Sequence, residues 1–168
     1  MTKNLRAASI FGSLVFGYAC TALGQQTVPA ATATLHYGAP VTLDEARKVA
    51  AAVREYAQRE GWAMAISVVD NDGELVYFEK MDDTMTGSIE VSLGKARTAA
   101  QFKRPTKSFS DPLAAGASFL LTMRDVVAVP GGLPLMSHGK MVGALGVSGG
   151  TVAQDSATAD AGGKVDID

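Results

Sequence analysis

The stretch 90–100 constrains the fold most, because it has the pattern of a helix and carries almost no side-chain bulk along one face. A glycine or alanine on a helix lets another backbone, or a flat ligand, come close. Lys95, Arg97 and Thr98 lie among these small residues and supply two cations and a hydroxyl group. We therefore expect this small-residue face to be open and to hold a planar, anionic ligand. The face consists of Gly94, Ala96, Ala99 and Ala100.

The first 24 residues have the pattern of a secretory signal peptide. Lys3 and Arg6 form a short positive region, residues 7–22 are apolar, and small residues follow up to Gly24. We expect cleavage after Gly24 and a periplasmic or secreted protein. A retained membrane anchor is the weaker alternative, because the apolar run is short for a bilayer span and no second run follows it.

The size, charge and cysteine content of the chain without this leader exclude several classes of protein. It leaves 144 of the 168 residues, which is enough for one domain with a sizeable core. The net charge changes from −2 to −4, because Lys3 and Arg6 are lost, and this excludes a basic nucleic-acid-binding surface. The only cysteine, Cys20, is lost as well. The mature chain therefore has no disulfide, no thiol nucleophile and no cysteine metal site.

The hydrophobic pattern predicts the order helix, β-hairpin, helix, helix, β-hairpin, helix. A capping-box pattern starts the first helix at Thr42, and Gly61 is expected to end it. Hairpins imply antiparallel pairing, so we predict an α+β fold with a single antiparallel sheet of two hairpins and helices packed on it. The predicted domain spans residues 42–168, and residues 25–41 are predicted to be a flexible linker.

The helices after the first hairpin are predicted from their capping residues. The second is expected from Ser88 to Arg104, where a proline follows. The third is expected to start at Asp111, with Pro112 in its first turn. The segment 148–151 precedes the last helix, and its backbone N–H groups are either an anion-binding site or part of a tightly packed turn.

Few single residues are candidates for a metal ligand or a catalytic base. Met81 and Met85 are either soft ligands for haem iron or copper, or core packing. Asp82 is the only reasonable general base near the second helix, or else forms a structural ion pair. His138 is either a haem or metal ligand or, as we favour, an exposed residue of a hairpin turn. No hydrolase or zinc-protease motif is present.

Six short blocks between Thr42 and Ala161 occur in the order of one known family. The blocks are 43–46, 68–73, 81–83, 95–100, 131–135 and 143–149, the last followed by Gln154 and Asp155. Together they resemble the GlcG/HbpS-like family of haem-degrading domains, which includes the C-terminal domains of PduO-type proteins. The resemblance implies a compact α+β subunit that assembles into homo-oligomers. It also implies haem as the cofactor of some members, with haem breakdown in a few.

Transferred by position, Lys95 and Thr98 are the residues that the resemblance implies for a haem site, with Thr98 facing the iron. PduO-type domains have a histidine on the first helix, and residues 43–59 of this chain contain none. A threonine hydroxyl is a weak axial ligand beside histidine, methionine, tyrosine or cysteine. We therefore expect haem binding to be weak or transient.

Three functions remain open at this point. In the first, an exported haem-binding protein holds the porphyrin on the small-residue face near residues 81–85, and Lys95 or Arg97 pairs with a propionate. In the second, an accessory protein or enzyme acts on a small hydroxy acid or other carboxylate, which Lys95, Arg97 and the helix start at 149–151 bind, with Asp82 as base. The third is an oligomeric scaffold without a ligand.

Overall fold

The structure is a computed structural model that describes residues 34–167. The predicted signal peptide, residues 1–24, lies outside the described residues. The described chain forms four α-helices, four strands and one short 3-10 helix. In chain order these are α1 (Leu43–Glu60), β1 (Ala65–Val69), β2 (Leu75–Lys80), α2 (Ser88–Phe102), α3 (Lys107–Ala114), the 3-10 helix (Ser118–Thr122), β3 (Gly132–Ser137), β4 (Lys140–Ser148) and α4 (Val152–Gly162).

The four strands form one antiparallel sheet in the order β2-β1-β4-β3. Helix α2 packs on one face, mainly against β4 and β1, whereas α1 and α4 pack against each other and cover the opposite face. Both hairpins and the antiparallel pairing follow the prediction, and the α+β fold is confirmed. Strand β1 is buried along its whole length because helices cover both of its faces.

The start and end of α1 form as the local sequence predicts. The Thr42 side chain accepts a hydrogen bond from the backbone N–H of Glu45 at 3.3 Å, and the Glu45 carboxylate accepts one from the Thr42 N–H at 2.6 Å. Gly61 ends the helix at a φ of 71°, in the left-handed region that favours glycine. These contacts satisfy N–H groups that have no partner inside the helix.

The small-residue face of α2 is closed by the sheet. Ala96, Ala99 and Ala100 are fully buried and form a cluster with apolar residues of β1 and β4. A Cβ atom on Gly146 of β4 would lie only 2.0 Å from the Ser92 carbonyl oxygen of α2. The small residues therefore bring the helix backbone close to the strand. The interpretation of this face as an open surface for a planar ligand is wrong.

Part of the predicted linker is bound to the domain. The Met141 N–H donates to the His36 carbonyl oxygen at 2.9 Å, and the Gly38 N–H donates to the Met141 carbonyl oxygen at 2.7 Å. The Val41 N–H also donates to the carbonyl oxygen of Val142 at 2.6 Å, and the Val41 side chain is buried. Residues 36–41 thus lie along β4, so the described part of the predicted linker is packed on the domain.

Helix α3 begins at Lys107, four residues before the predicted start at Asp111, and Pro112 lies near its end. The hydroxyl group of Thr106 accepts a hydrogen bond from the Gly132 N–H at 2.9 Å, which fixes the chain just before the helix. Phe109 is buried at 1% exposure and packs edge-on against the ring of Phe102. This packing overrides the local capping signal, as tertiary contacts commonly do. None of the described helices is long and apolar enough to span a membrane.

The contact between Gly146 and α2 yields a stability prediction. We expect Gly146→Ala to lower the free energy of unfolding by about 1–3 kcal/mol or more, because the new methyl group meets helix backbone that has no room to move. Gly87→Ala is the matched control, since nothing lies within 4 Å of its Cβ position and its φ is −63°. Urea unfolding of both variants measures the difference. Equal stability of the two variants would contradict the close packing.

Candidate functional site

Lys95, the first predicted site residue, is fully buried in an ion pair. Its Nζ atom donates to Asp155 Oδ2 at 2.6 Å and to the Val147 carbonyl oxygen at 2.9 Å. The Lys95 side chain therefore extends from α2, past the end of β4, to the first turn of α4. Burial lowers the pKa of Lys95, while the hydrogen bond and the charge of Asp155 act in the opposite direction.

The segment before α4 has both features that the sequence left open. A Cβ atom on Gly149 would collide with the Ala63 carbonyl oxygen, so the turn is tightly packed, and its N–H groups bind a carboxylate of the same chain. Asp155 Oδ1 accepts hydrogen bonds from the Gly149 N–H at 3.1 Å and from the Gly150 N–H at 2.9 Å. Its other oxygen holds Lys95. The second of the three functions requires that Lys95, Arg97 and residues 149–151 bind a small carboxylate together. Two of these three parts bind Asp155 instead, so this three-part site is not formed.

Thr98, the predicted iron-facing residue, is also fully buried. Its hydroxyl group donates to the Gly94 carbonyl oxygen at 2.8 Å and accepts from the Val127 N–H at 2.9 Å. Val127 fits against Gly94 so closely that a Cβ atom there would lie 2.6 Å from Val127 Cγ2. The two α2 residues thus hold the segment 125–127 against the helix. Thr98 does not face an open space.

A hollow of about 460 Å³ lies where this segment meets the outer side of α2, and we call it the α2 hollow. Its helix residues recur every three or four positions, which places them along one side of α2. The hollow is partly apolar, and its volume is in the range of small-molecule sites. It is lined by Glu90, Leu93, Gly94, Arg97, Gln101, Asp125, Val126 and Val127.

Arg97 is the only cation among the residues that line the α2 hollow. Its Nε atom donates to the Gly73 carbonyl oxygen at 3.1 Å, so the turn between β1 and β2 anchors the guanidinium group. Glu90 and Asp125 add two carboxylates, and Asp125 has a φ of 60°, which is uncommon outside glycine. The arrangement offers a bidentate partner for one carboxylate of a ligand, with like-charge repulsion from its neighbours.

Met81 and Asp82 do not share a site with Thr98 or Arg97. They line a separate hollow of about 350 Å³ together with Arg54 and Glu79. The Met81 side chain packs on the core between the sheet and α1, on the face of the sheet opposite α2. The structure therefore does not bring the five predicted site residues together. Arg97 lines the α2 hollow, whereas Lys95 and Thr98 are buried. Met81 and Asp82 line a different hollow.

His138 lies exposed in the turn between β3 and β4, as we favoured, with its Nδ1 atom 2.9 Å from the Ser137 hydroxyl. Within residues 34–167, no cluster of three or more histidine, cysteine or acidic side chains has the geometry to bind a metal ion. A metal site formed by the protein alone is thus not found in the described part of the chain.

Apart from Gly94 and Arg97, sequence reasoning missed the residues that line the α2 hollow. Glu90, Leu93, Arg97 and Gln101 have the spacing of one helix side, so the helical repeat was a usable signal for them. The segment 125–127 offered no such signal, since only the tertiary structure places it against α2. The role of Asp155 was missed for the same reason, because it lies 60 residues from Lys95 along the chain.

Residues 41–164 match the family model described as haem-degrading proteins that are HbpS-like. An uncharacterised 15.0 kDa protein from Citrobacter freundii, encoded between dhaT and dhaS, is 39% identical over 126 residues. That alignment covers 73% of this chain and 89% of the relative. The residues that match the family model, 41–164, include every helix and strand of the described domain.

Two solved structures are also similar. The crystal structure of the Klebsiella pneumoniae protein ORFY superposes with a TM-score of 0.70 at 32% identity, over 79% of this chain and 94% of that one. A complex of PduOC with haem superposes with a TM-score of 0.67 at 30% identity, over 74% of this chain and 93% of that one.

The Lys95–Asp155 pair yields a prediction about charge burial. Asp155→Asn keeps an oxygen that accepts from the Gly149 and Gly150 N–H groups and leaves the Lys95 ammonium group without its counter-charge. We expect this variant to lose about 3–5 kcal/mol of stability, as other buried pairs do when one partner is removed. The double variant Lys95→Met with Asp155→Asn should recover part of the loss, because it buries no charge. Thermal unfolding measures both.

The loss in Asp155→Asn should also depend on pH. A lysine whose pKa is lower in the folded state binds fewer protons than it does in the unfolded chain, so stability rises with pH in that window. Burial lowers the pKa of Lys95 below its ordinary 10.5. In the variant this pKa is lower still, because the charge and hydrogen bond of Asp155, which raise it in the parent, are lost. Lys95 therefore loses its proton at a lower pH in the variant than in the parent, and the deficit should shrink as the pH is raised from neutral towards 10.5. A deficit that stays constant would show that the charge of Lys95 is not its cause.

Proposed function

The chain belongs to the family of HbpS-like haem-degrading proteins, and from that premise we propose that it is an exported haem-binding protein. The family model spans residues 41–164, and the related PduOC structure is a complex with haem. That the chain assists haem breakdown or iron handling is the part of the proposal that rests on the family description alone. A bound haem supplies iron-centred chemistry, whereas the protein supplies binding and orientation.

The observation that carries a binding site is the α2 hollow with Arg97 at its wall. Leu93, Val126 and Val127 provide an apolar surface for one side of a porphyrin ring. Arg97 is positioned by Gly73 and is the partner for a propionate. Lys95 is not available for that role, because Asp155 and Val147 already bind its ammonium group.

The carboxylates of the hollow set the expected strength of binding. Glu90 and Asp125 line the same wall as Arg97, so a ligand with two negative charges meets two like charges and one opposite charge. This balance supports the expectation of weak or transient haem binding. It also fits a protein that receives haem and passes it on, because release then needs little energy.

The alternative function on a small hydroxy acid loses support from the geometry. Its proposed binding groups were Lys95, Arg97 and the backbone at 149–151, and two of these three are bound to Asp155. Asp82, its proposed base, lines a different hollow from Arg97. A scaffold without a ligand is the outcome that remains if the α2 hollow binds nothing.

Export and assembly complete the proposal. The leader pattern of residues 1–24 supports export to the periplasm or outside the cell. Phe119 and Leu121 support assembly of several copies of the chain, because they are 67% and 73% exposed on the short 3-10 helix. Large apolar side chains this exposed are typical of contact surfaces when they occur together.

A hemin titration tests the site. We expect Arg97→Gln to weaken binding about tenfold, because it removes the only cation that lines the hollow. Glu90→Gln should strengthen binding by a few fold, since it removes a like charge. Arg47→Gln is the matched control, as Arg47 is an exposed arginine of α1 on the other side of the sheet. Absorption spectra follow the titration. An equal response of Arg97→Gln and Arg47→Gln would place the site elsewhere.

Protein purified from the native cell compartment tests export and assembly together. We expect the intact mass to correspond to a chain that starts at Gln25, because cleavage follows Gly24. Light scattering should give a multiple of that mass, and Phe119→Glu should reduce it. A full-length chain in the cytoplasm would contradict export, and a monomer would contradict assembly.

A further inference from the structure

We propose that the α2 hollow recognises the ring and the carboxylates of a tetrapyrrole and forms no bond to its metal. The ligand class would then include metal-free and zinc porphyrins as well as haem. This inference rests on the proposed haem-binding function and narrows it. It follows from the side chains that line the hollow and from the contacts of Thr98.

The residues that line the hollow include no strong axial ligand for haem iron. Such ligands are histidine, methionine, cysteine and tyrosine. The eight lining residues are two acids, one arginine, one glutamine, one glycine and three aliphatic residues. The histidine and the two methionines that the sequence suggested as ligands do not line this hollow. His138 is in the turn between β3 and β4, Met81 lines a different hollow, and Met85 is 60% exposed in the segment before α2.

Thr98, the remaining candidate, has its hydroxyl group in use. A hydroxyl group has one proton to donate and two lone pairs. The proton goes to the Gly94 carbonyl oxygen at 2.8 Å, with the Asp125 carbonyl oxygen as a second acceptor at 3.4 Å, and one lone pair accepts the Val127 N–H. The other lone pair is enclosed with the rest of the side chain. The side chain is fully buried beneath the segment 125–127. Iron would have to displace this segment and leave a buried N–H without a partner, which costs about 1–3 kcal/mol.

Thr98 is therefore a positioning residue that holds the wall of the hollow. Gly94 contributes to the same contact, because a side chain there would collide with Val127. The wall in turn presents Val126 and Val127 on the hollow side. Thr98 and Gly94, four residues apart on α2, thus both act on the position of Val127.

The side chains that line the hollow can bind the ring and a carboxylate, which all of these porphyrins have. Leu93, Val126 and Val127 contact a flat apolar ring, and Arg97 pairs with a carboxylate. None of these interactions depends on the metal. Affinity should therefore be nearly the same for hemin, zinc protoporphyrin and metal-free protoporphyrin.

Equilibrium dialysis of the purified full chain against the three porphyrins tests this inference. We expect dissociation constants within about threefold of one another, and an equal loss for all three in Arg97→Gln. Arg47→Gln should leave all three unchanged. Hemin binding that is about thirtyfold or more tighter than that of the metal-free ring would overturn the inference and leave haem binding intact. Failure of all three to bind would overturn the proposed function as well.

Two variants of Thr98 separate a positioning role from an iron ligand. Thr98→Val keeps the shape and removes the acceptor of the Val127 N–H, so it should weaken all three porphyrins to the same degree. Thr98→Ser keeps the hydroxyl group and should bind all three nearly as the parent does. The absorption spectrum of bound hemin should be the same in the parent, Thr98→Ser and Thr98→Val. A spectral change in Thr98→Val, or a loss confined to hemin, would show that Thr98 binds iron.

Discussion

The buried ion pair between Lys95 and Asp155 is the interaction on which the surrounding structure depends. It joins α2 to α4 past the end of β4, and the same carboxylate binds the Gly149 and Gly150 N–H groups. A charge buried this deeply is tolerated only when its partner and hydrogen bonds are complete. The positions of both helices and of the turn between β4 and α4 are therefore coupled through one side chain.

The small residues of α2 permit a close neighbour of any kind, and in the structure that neighbour is mainly the sheet. Gly94, Ala96, Ala99 and Ala100 allow something to approach the helix, and the sequence does not say what. The structure shows that strands approach three of them and that Val127 approaches the fourth. A small residue thus indicates a short distance and leaves the identity of the neighbour open.

The available chemistry consequently lies on the outer side of α2. Arg97 remains the candidate partner for a carboxylate, since it is the only cation among the residues that line the hollow. Lys95 and Thr98 have structural contacts instead, one with α4 and one with the segment 125–127. The proposed porphyrin site therefore depends on apolar contacts with the ring and on Arg97 for one carboxylate.

The sequence by itself determined the order of helices and strands, the antiparallel pairing and the caps of α1, because these depend on residues a few positions apart. It also determined the family, through blocks spread along the chain. Only the tertiary structure decided which face of α2 is covered, where α3 begins and which groups fill the anion site at α4. The physical reason is separation along the chain: Lys95 meets Asp155 across 60 residues, and Thr98 meets Val127 across 29. Local patterns carry no information about such partners.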